Sequence, residues 1–369
     1  MPKVTFDSIQ QPSISVSVDF YNDEEKQKLL AYPTGKKMVE LVQGGVCIPV
    51  AEFLTHYLFH QRRPSVSGFG TYGELGRRIN SAISLLDPWL VFDGASMHVN
   101  REMDPLPNTV IEHVGEAVGL SVINRIHGFS ELDWNKIPEQ RGRGAKKVFD
   151  YGVGLHPSVA SDGRDIVQVE NKGTVADGAR DRTPALSTQK GNIVGKKTAI
   201  RAAEATDSYP YSANLRYGTI AVLGRSDSLP IHCWLVDPDG GEGGPAIDIR
   251  VLNRMTFLRD WIGFIAPRSQ IAAALATRLG ALATSSKLSE LDSVELLNGR
   301  GEPIKFGPHA FGRPNSFFQS RSVVSDGSAG GVVLKLSADF LFFLGFQEEL
   351  LMLAATQSFG ELLSFQKPG

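Results

Sequence analysis

Glu170 and Lys172 stand two residues apart in DIVQVENKG (165–173), a run whose first half is apolar and strand-like. In a strand, residues two apart share a face, their Cα atoms roughly 6–7 Å apart, so this acid and this base are neighbours while Asn171 points the other way. Asp150, in VFDYGV, lies on the strand predicted just upstream. Pairing of those strands brings Asp150 beside Glu170. Two converging carboxylates repel unless one keeps a proton or a cation binds between them. Oxygen ligands with room for water and phosphate oxygens suit Mg²⁺. Such an ion activates a water and stabilises charge on a phosphorane-like transition state. A lysine beside it orients that water or neutralises charge on the phosphate. The chemistry open to these residues is therefore metal-dependent phosphodiester hydrolysis.

An acid-x-lysine triplet is cheap by itself. The chain holds another, Glu24-Glu25-Lys26, with no apolar strand before it. The conjunction separates them: an apolar strand before Glu170, Gly173 after Lys172, Asp150 on its own strand, and helices on both sides. The plain alternative is a solvated pair at a sheet edge with Asp150 a turn acid.

The elements that must position these residues follow from periodicity. NTVIEHVGEAVGLSVINRIHG (108–128) predicts a helix capped by Asn108 or Thr109. KKVFDYGVGL (146–155) and DIVQVENKG predict two strands, 187–205 a helix with two interrupting glycines, and 215–224 and 231–240 two more strands. This order predicts an α/β fold, a mixed central sheet flanked by helices. The chain divides on this reading into an N-terminal region (1–104), a core (105–246) and a C-terminal region (247–369). Upstream, SISVSVDF predicts edge strands, 36–63 and ELGRRINSAISLL helices, and PWLVFDG a short strand. Downstream, 247–295 reads as mainly helical. After a Gly/Pro/Ser-rich stretch (299–331), a last apolar helix is predicted over 337–365, including FLFFLGF (340–346) as a core or interface helix. Both flanking regions are thus expected to be mainly helical additions.

The set FDYGV with Asp150 and VQVENKG with Glu170 and Lys172, between an acid-bearing helix and a lysine-rich one, resembles the PD-(D/E)xK nuclease superfamily, the restriction-endonuclease-like fold. The resemblance covers roughly 108–240. One departure is that Phe149 stands where the family usually has proline. The resemblance implies a Mg²⁺-dependent endonuclease, with Mn²⁺ able to substitute. Asp150 and Glu170 become metal ligands and Lys172 the water-orienting or charge-stabilising base. A glutamate from the preceding helix joins as a further ligand. Glu112 and Glu116 share a helix face, and Glu116 is preferred because the glycines of GEAVGL let the backbone approach closely. The resemblance also suggests restriction or antiviral defence.

Charge points to the same partner. The net charge of the 369 residues is −2, but residues 136–201 carry 13 Lys/Arg against 7 Asp/Glu. Basic charge around an acidic site suits a nucleic-acid cleft. The candidate contacts are Arg141, Arg143, Lys146 and Lys147 in the flexible QRGRGAKK, and Lys190, Lys196 and Lys197 on the following helix. DNA is the expected partner. A homodimer or larger assembly is expected as well, since cutting both strands with one-site chemistry needs two sites and FLFFLGFQEELLML offers apolar surface. A non-catalytic nucleic-acid-binding or scaffold subunit with the same fold is the competing expectation.

Other signals are weaker. GFGTYG (68–73) matches a dinucleotide-loop pattern, but HQRRPSVS before it makes a poor buried strand. His56 and His60 lack the glutamate of a zinc-protease motif. FGPHAFGRPNSFFQSRS (306–322) could stack bases, though a loop anchored by its aromatics explains it as well. No serine-hydrolase elbow and no Walker loop is present. Cys47 and Cys233 make no disulfide framework, so a cytoplasmic setting is the default. MPKVTFDSIQQ has no apolar signal segment, and FLFFLGF is too short to span a membrane.

Overall fold

The computed structural model describes residues 13–32, 34–59, 86, 88–93, 96–139, 142, 144–153, 167–178, 183–206, 209, 213, 215–225, 231–237, 247–265, 270–282, 323–329, 332–337 and 342–356. The first part runs β1 (Ser13–Phe20), α1 (Asp23–Leu30), α2 (Gly35–Gly44), β2 (Val46–Pro49), α3 (Val50–Phe59), β3 (Leu90–Asp93) and β4 (Ser96–Val99). The middle runs α4 (Asn108–His127), β5 (Trp134–Lys136), β6 (Tyr151–Val153), β7 (Val167–Ala176), α5 (Pro184–Glu204), β8 (Leu215–Gly224) and β9 (Ile231–Val236). The last part runs α6 (Ile247–Ile265), α7 (Gln270–Leu282), β10 (Val323–Ala329), β11 (Val332–Ser337), β12 (Phe342–Phe346) and α8 (Glu348–Thr356).

The fold is α/β. Seven strands make one mixed sheet in the order β2-β1-β9-β8-β7-β6-β5. β7 and β8 are parallel, joined through α5, and so are β9 and β1. The other neighbours are antiparallel. β8 and β9 are buried at every residue, as strands covered on both faces must be. β1 instead alternates half-buried serines and Asp19 with buried Ile14, Val16, Val18 and Phe20. One of its faces is therefore less covered.

Alternate residues of β8 divide the two layers. Tyr217, Ala221 and Leu223 join the core that includes Val114, Ala117 and Val118 of α4. Ile220 and Val222 join a second core with Leu186 and Ile193 of α5. The sheet thus lies between α4 and α5. α4 is buried almost all round from Val114 to Ile126 because α3 covers its far side, and it stops at Gly128, whose φ of 67° suits a residue without Cβ. α5 starts where Thr183 accepts the Leu186 N–H at 3.3 Å, with Pro184 in the first turn.

Several elements differ from expectation. β1 is internal rather than an edge, because β2 pairs outside it. Within the N-terminal region β1 and β2 extend the central sheet, and β2 separates α2 from α3. Of the strand expected over 146–155, Tyr151–Val153 is regular strand and 146–150 is not, while 154–155 lie outside the described residues. β7 runs on to Ala176, so Glu170 and Lys172 lie inside a strand rather than at its end. α4 has no side-chain cap, and Asn108 is already helical. The last apolar helix is replaced by β12 and the shorter α8, with β10, β11 and β12 forming a separate antiparallel sheet. Gly191 and Gly195 do not interrupt α5. The helix ELGRRINSAISLL (except Leu86), GFGTYG, His60 and 306–322 lie outside the described residues.

Candidate active site

Three packing features place the site. The first is the depth of α4 against β7. A Cβ on Gly115 would lie 2.5 Å from the Gly173 nitrogen and 2.6 Å from the Lys172 carbonyl carbon. A Cβ on Gly119 would overlap the Asn171 amide, and one on Gly173 would overlap the Ile111 carbonyl oxygen. Backbone therefore rests on backbone here, as the glycines of GEAVGL suggested. The second is the anchor for Asp150. Val148 and Phe149 are buried with Ile137 and with Ile200 of α5, so the position with Phe in place of proline is a core residue. The third is the end of the β6–β7 ladder. Its last residue pair is Tyr151 with Val169.

At that end Asp150 closes the ladder. Its N–H donates to Val169 O at 3.2 Å, and its Oδ2 accepts the Asn171 N–H at 3.0 Å. The carboxylate takes the place of a neighbouring strand's carbonyl. Gln168, Glu170 and Lys172 point to the α5 side of the sheet, while Asn171 points to α4, where its Oδ1 accepts the Thr219 hydroxyl at 2.6 Å. From α5, Lys196 Nζ donates to both Glu170 oxygens at 2.6 Å and to Asp150 Oδ1 at 3.4 Å. Lys172 Nζ is 2.6 Å from Glu170 Oε1. The Glu170 side chain is 1% exposed, against 18% for Asp150, 26% for Lys172 and 21% for Lys196. The site is thus a buried carboxylate at the floor with three partly open charges above it.

Burial pushes the Glu170 carboxyl up to about 7 and the Asp150 charge adds to this, while Lys196 and Lys172 pull it back. Burial works to lower the Lys172 ammonium, but Glu170, Asp150 and Glu112 outweigh it and hold it above the usual lysine value.

The structure thus brings Asp150, Glu170 and Lys172 together. Glu116 lies on the α4 side, buried, where its Oε1 accepts the Tyr151 hydroxyl at 3.1 Å. Its neighbour Glu112 is the α4 acid whose charge reaches Lys172. Among the described residues no three His, Cys, Asp or Glu side chains converge as a metal cage. Two carboxylates still suit Mg²⁺, which keeps several waters and takes one or two carboxylates with substrate phosphates. Asp150 and Glu170 are bridged by a single ammonium, so their spacing fits one shared cation.

The expected nucleic-acid contacts fare differently. Lys196 lies in the acidic site itself. Lys190 pairs with Glu25 at 3.0 Å and lies over the Tyr21 ring, and Lys197 is buried against Asp237 at 3.1 Å. The three lysines are therefore held by internal partners rather than displayed on an open basic face. Lys147 is exposed and Lys146 half-buried beside the site, while Arg141 and Arg143 lie outside the described residues. His56 is a core residue within 3.2 Å of Asn124 Nδ2.

Sequence reasoning places Lys196 among the nucleic-acid contacts and not with the two carboxylates; the spacing along α5 hints at which lysines face inward without saying which acid each meets. Ile193, Lys197 and Ile200 mark the buried stripe of α5 at three- and four-residue steps, and Lys196 lies beside that stripe.

No protein-family model matches the chain, and neither does any curated protein or solved structure. Among the described residues no helix is long and apolar enough to cross a membrane.

Proposed function

We propose that the chain is a Mg²⁺-dependent nuclease that hydrolyses phosphodiester bonds of DNA, with Mn²⁺ able to replace Mg²⁺. The observation that carries this reading is the convergence of Asp150, Glu170, Lys172 and Lys196 where β6 parts from β7. Asp150 and Glu170 would hold the ion, while Glu116, bound to Tyr151 on the opposite face of the sheet, stays apart from them. When bound, Mg²⁺ supplies an activated water and charge neutralisation at the phosphate. Lys172, held charged by its acidic neighbours, orients that water or meets the developing phosphate charge. The order helix, hairpin, acid-x-lysine strand and lysine-bearing helix supports a restriction-endonuclease-like core and, with it, a setting in restriction or antiviral defence. The exposed Lys147 and its neighbours track the DNA backbone at the mouth of the site. A homodimer would deliver two cuts. Within FLFFLGFQEELLML, Leu344, Leu350 and Leu351 are buried in their own chain.

A second reading has its own observation. Glu170 is already matched by two ammonium groups at 2.6 Å, which is how a non-catalytic scaffold would neutralise a buried acid. Incubation with plasmid, linear and single-stranded DNA and with RNA, with and without Mg²⁺ or Mn²⁺, separates the two. Metal-dependent cutting of DNA is expected. Binding to DNA with no cleavage under any ion would favour the scaffold.

A further inference from the structure

Lys196 occupies the place that a shared metal needs. Its ammonium is 2.6 Å from each Glu170 oxygen and 3.4 Å from Asp150 Oδ1. A Mg²⁺ bound to both carboxylates must approach their oxygens to about 2.0–2.1 Å, inside the volume the ammonium fills. Two cations this close repel strongly, so metal and ammonium exclude each other. Lys196 is free to leave. Its side chain is partly exposed on a long flexible stem, and Lys172 stays on Glu170 when it goes. The next residue shows the contrast. Lys197 is 9% exposed and held by both the main-chain and side-chain oxygens of Asp237.

We infer that Lys196 is a resident counter-ion that holds Asp150 and Glu170 together until a divalent cation displaces it, and that its freed ammonium then contacts a substrate phosphate at the mouth of the same site. This rests on the reading of those two carboxylates as metal ligands. It makes metal loading and phosphate binding mutually supportive: the metal releases Lys196 to the phosphate, and the phosphate holds Lys196 away from the metal. By linkage each tightens the other.

The test uses Mn²⁺ alone as the probe. Lysines of the full chain are reductively methylated during a Mn²⁺ titration and read by mass spectrometry. The Lys196 rate is expected to rise several-fold on saturation while Lys197 stays constant. In parallel, calorimetry compares Mn²⁺ binding to the wild type, Lys196→Met and Asp150→Asn. Lys196→Met is expected to bind about tenfold or more tightly, the order set by one charge-assisted hydrogen bond, and Asp150→Asn more weakly than wild type. If wild type and Lys196→Met bind equally and the Lys196 rate does not move, the counter-ion inference is overturned while the metal site stands. If neither binds Mn²⁺, or Asp150→Asn binds as wild type does, both fall. Should Lys196→Met fail to fold, the wild-type methylation decides alone.

Discussion

The carboxylate of Asp150 accepts the backbone N–H of Asn171 at 3.0 Å, just beyond the last paired residues of β6 and β7. One side chain thus finishes the sheet ladder with one oxygen and faces Lys196 with the other. The two roles can be separated. Asp150→Asn keeps an acceptor for Asn171 and should melt close to wild type. Asp150→Ala strands that N–H and should lose about 1–3 kcal/mol. Chemical denaturation of the two variants measures the difference, and equal midpoints would mean that the ladder does not depend on this oxygen.

Glu170 tests burial. A carboxylate at an exposed strand end could be removed with little effect on the fold. In the structure the carboxylate is buried and holds two ammonium groups. Glu170→Ala should therefore destabilise by about 1–3 kcal/mol, less than a fully enclosed pair because both lysines can turn to water. Glu170→Gln keeps the volume and should lose less. Urea midpoints that fall in the opposite order would place the carboxylate at the surface.

The glycines of α4, β7 and α5 should divide sharply. Gly115→Ala meets the Gly173 nitrogen and Gly173→Ala meets the Ile111 carbonyl oxygen, both backbone atoms that cannot turn aside. Each should cost roughly 1–3 kcal/mol or more. Gly191→Ala and Gly195→Ala meet nothing within 4 Å and should stabilise α5 by about 0.5–1 kcal/mol. Thermal melts of the four variants decide it, and an unchanged melt for Gly173→Ala would contradict the close approach of α4.

Glu131 sets a pH dependence away from the site. Burial pushes its carboxyl from 4.5 up to about 8, and the charge of Glu52 adds to this. The folded chain therefore keeps a proton that the unfolded chain releases. The stability that this proton supplies is full below about pH 4.5 and is lost as pH rises through about 8. The slope is at most about 1.4 kcal/mol per pH unit. Glu131→Gln should flatten the melting temperature across that window and melt higher than wild type at its upper end. Parallel curves for the two proteins would sink the assignment.

The long elements of the core were legible because their patterns are strong. α4, α5 and β8 carry enough periodic or continuous apolar sequence to identify them. The end of β7 was not legible, since Thr174–Ala176 are strand only by pairing with Val222–Gly224. FLFFLGF misled because a short apolar run fits a buried strand or a buried helix equally. The pairing of Leu334 with Leu344 and of Leu336 with Phe342 decides for strand. Asp150, Glu170 and Lys172 stood out by type and spacing. Lys196 and Lys197 share one local sequence, and only the position of α5 over the sheet sends one to Glu170 and the other to Asp237.

The most direct measurement of the central claim is cleavage of supercoiled plasmid by wild type and Asp150→Asn, both shown folded by circular dichroism and melting, in Mg²⁺ and in chelator. Wild type should nick or linearise the plasmid in Mg²⁺ and not in chelator. Asp150→Asn should be slower by about 10²–10³ while still binding the DNA. Cleavage that persists in chelator, or that Asp150→Asn carries out at the wild-type rate, would contradict a metal-dependent site at Asp150 and Glu170.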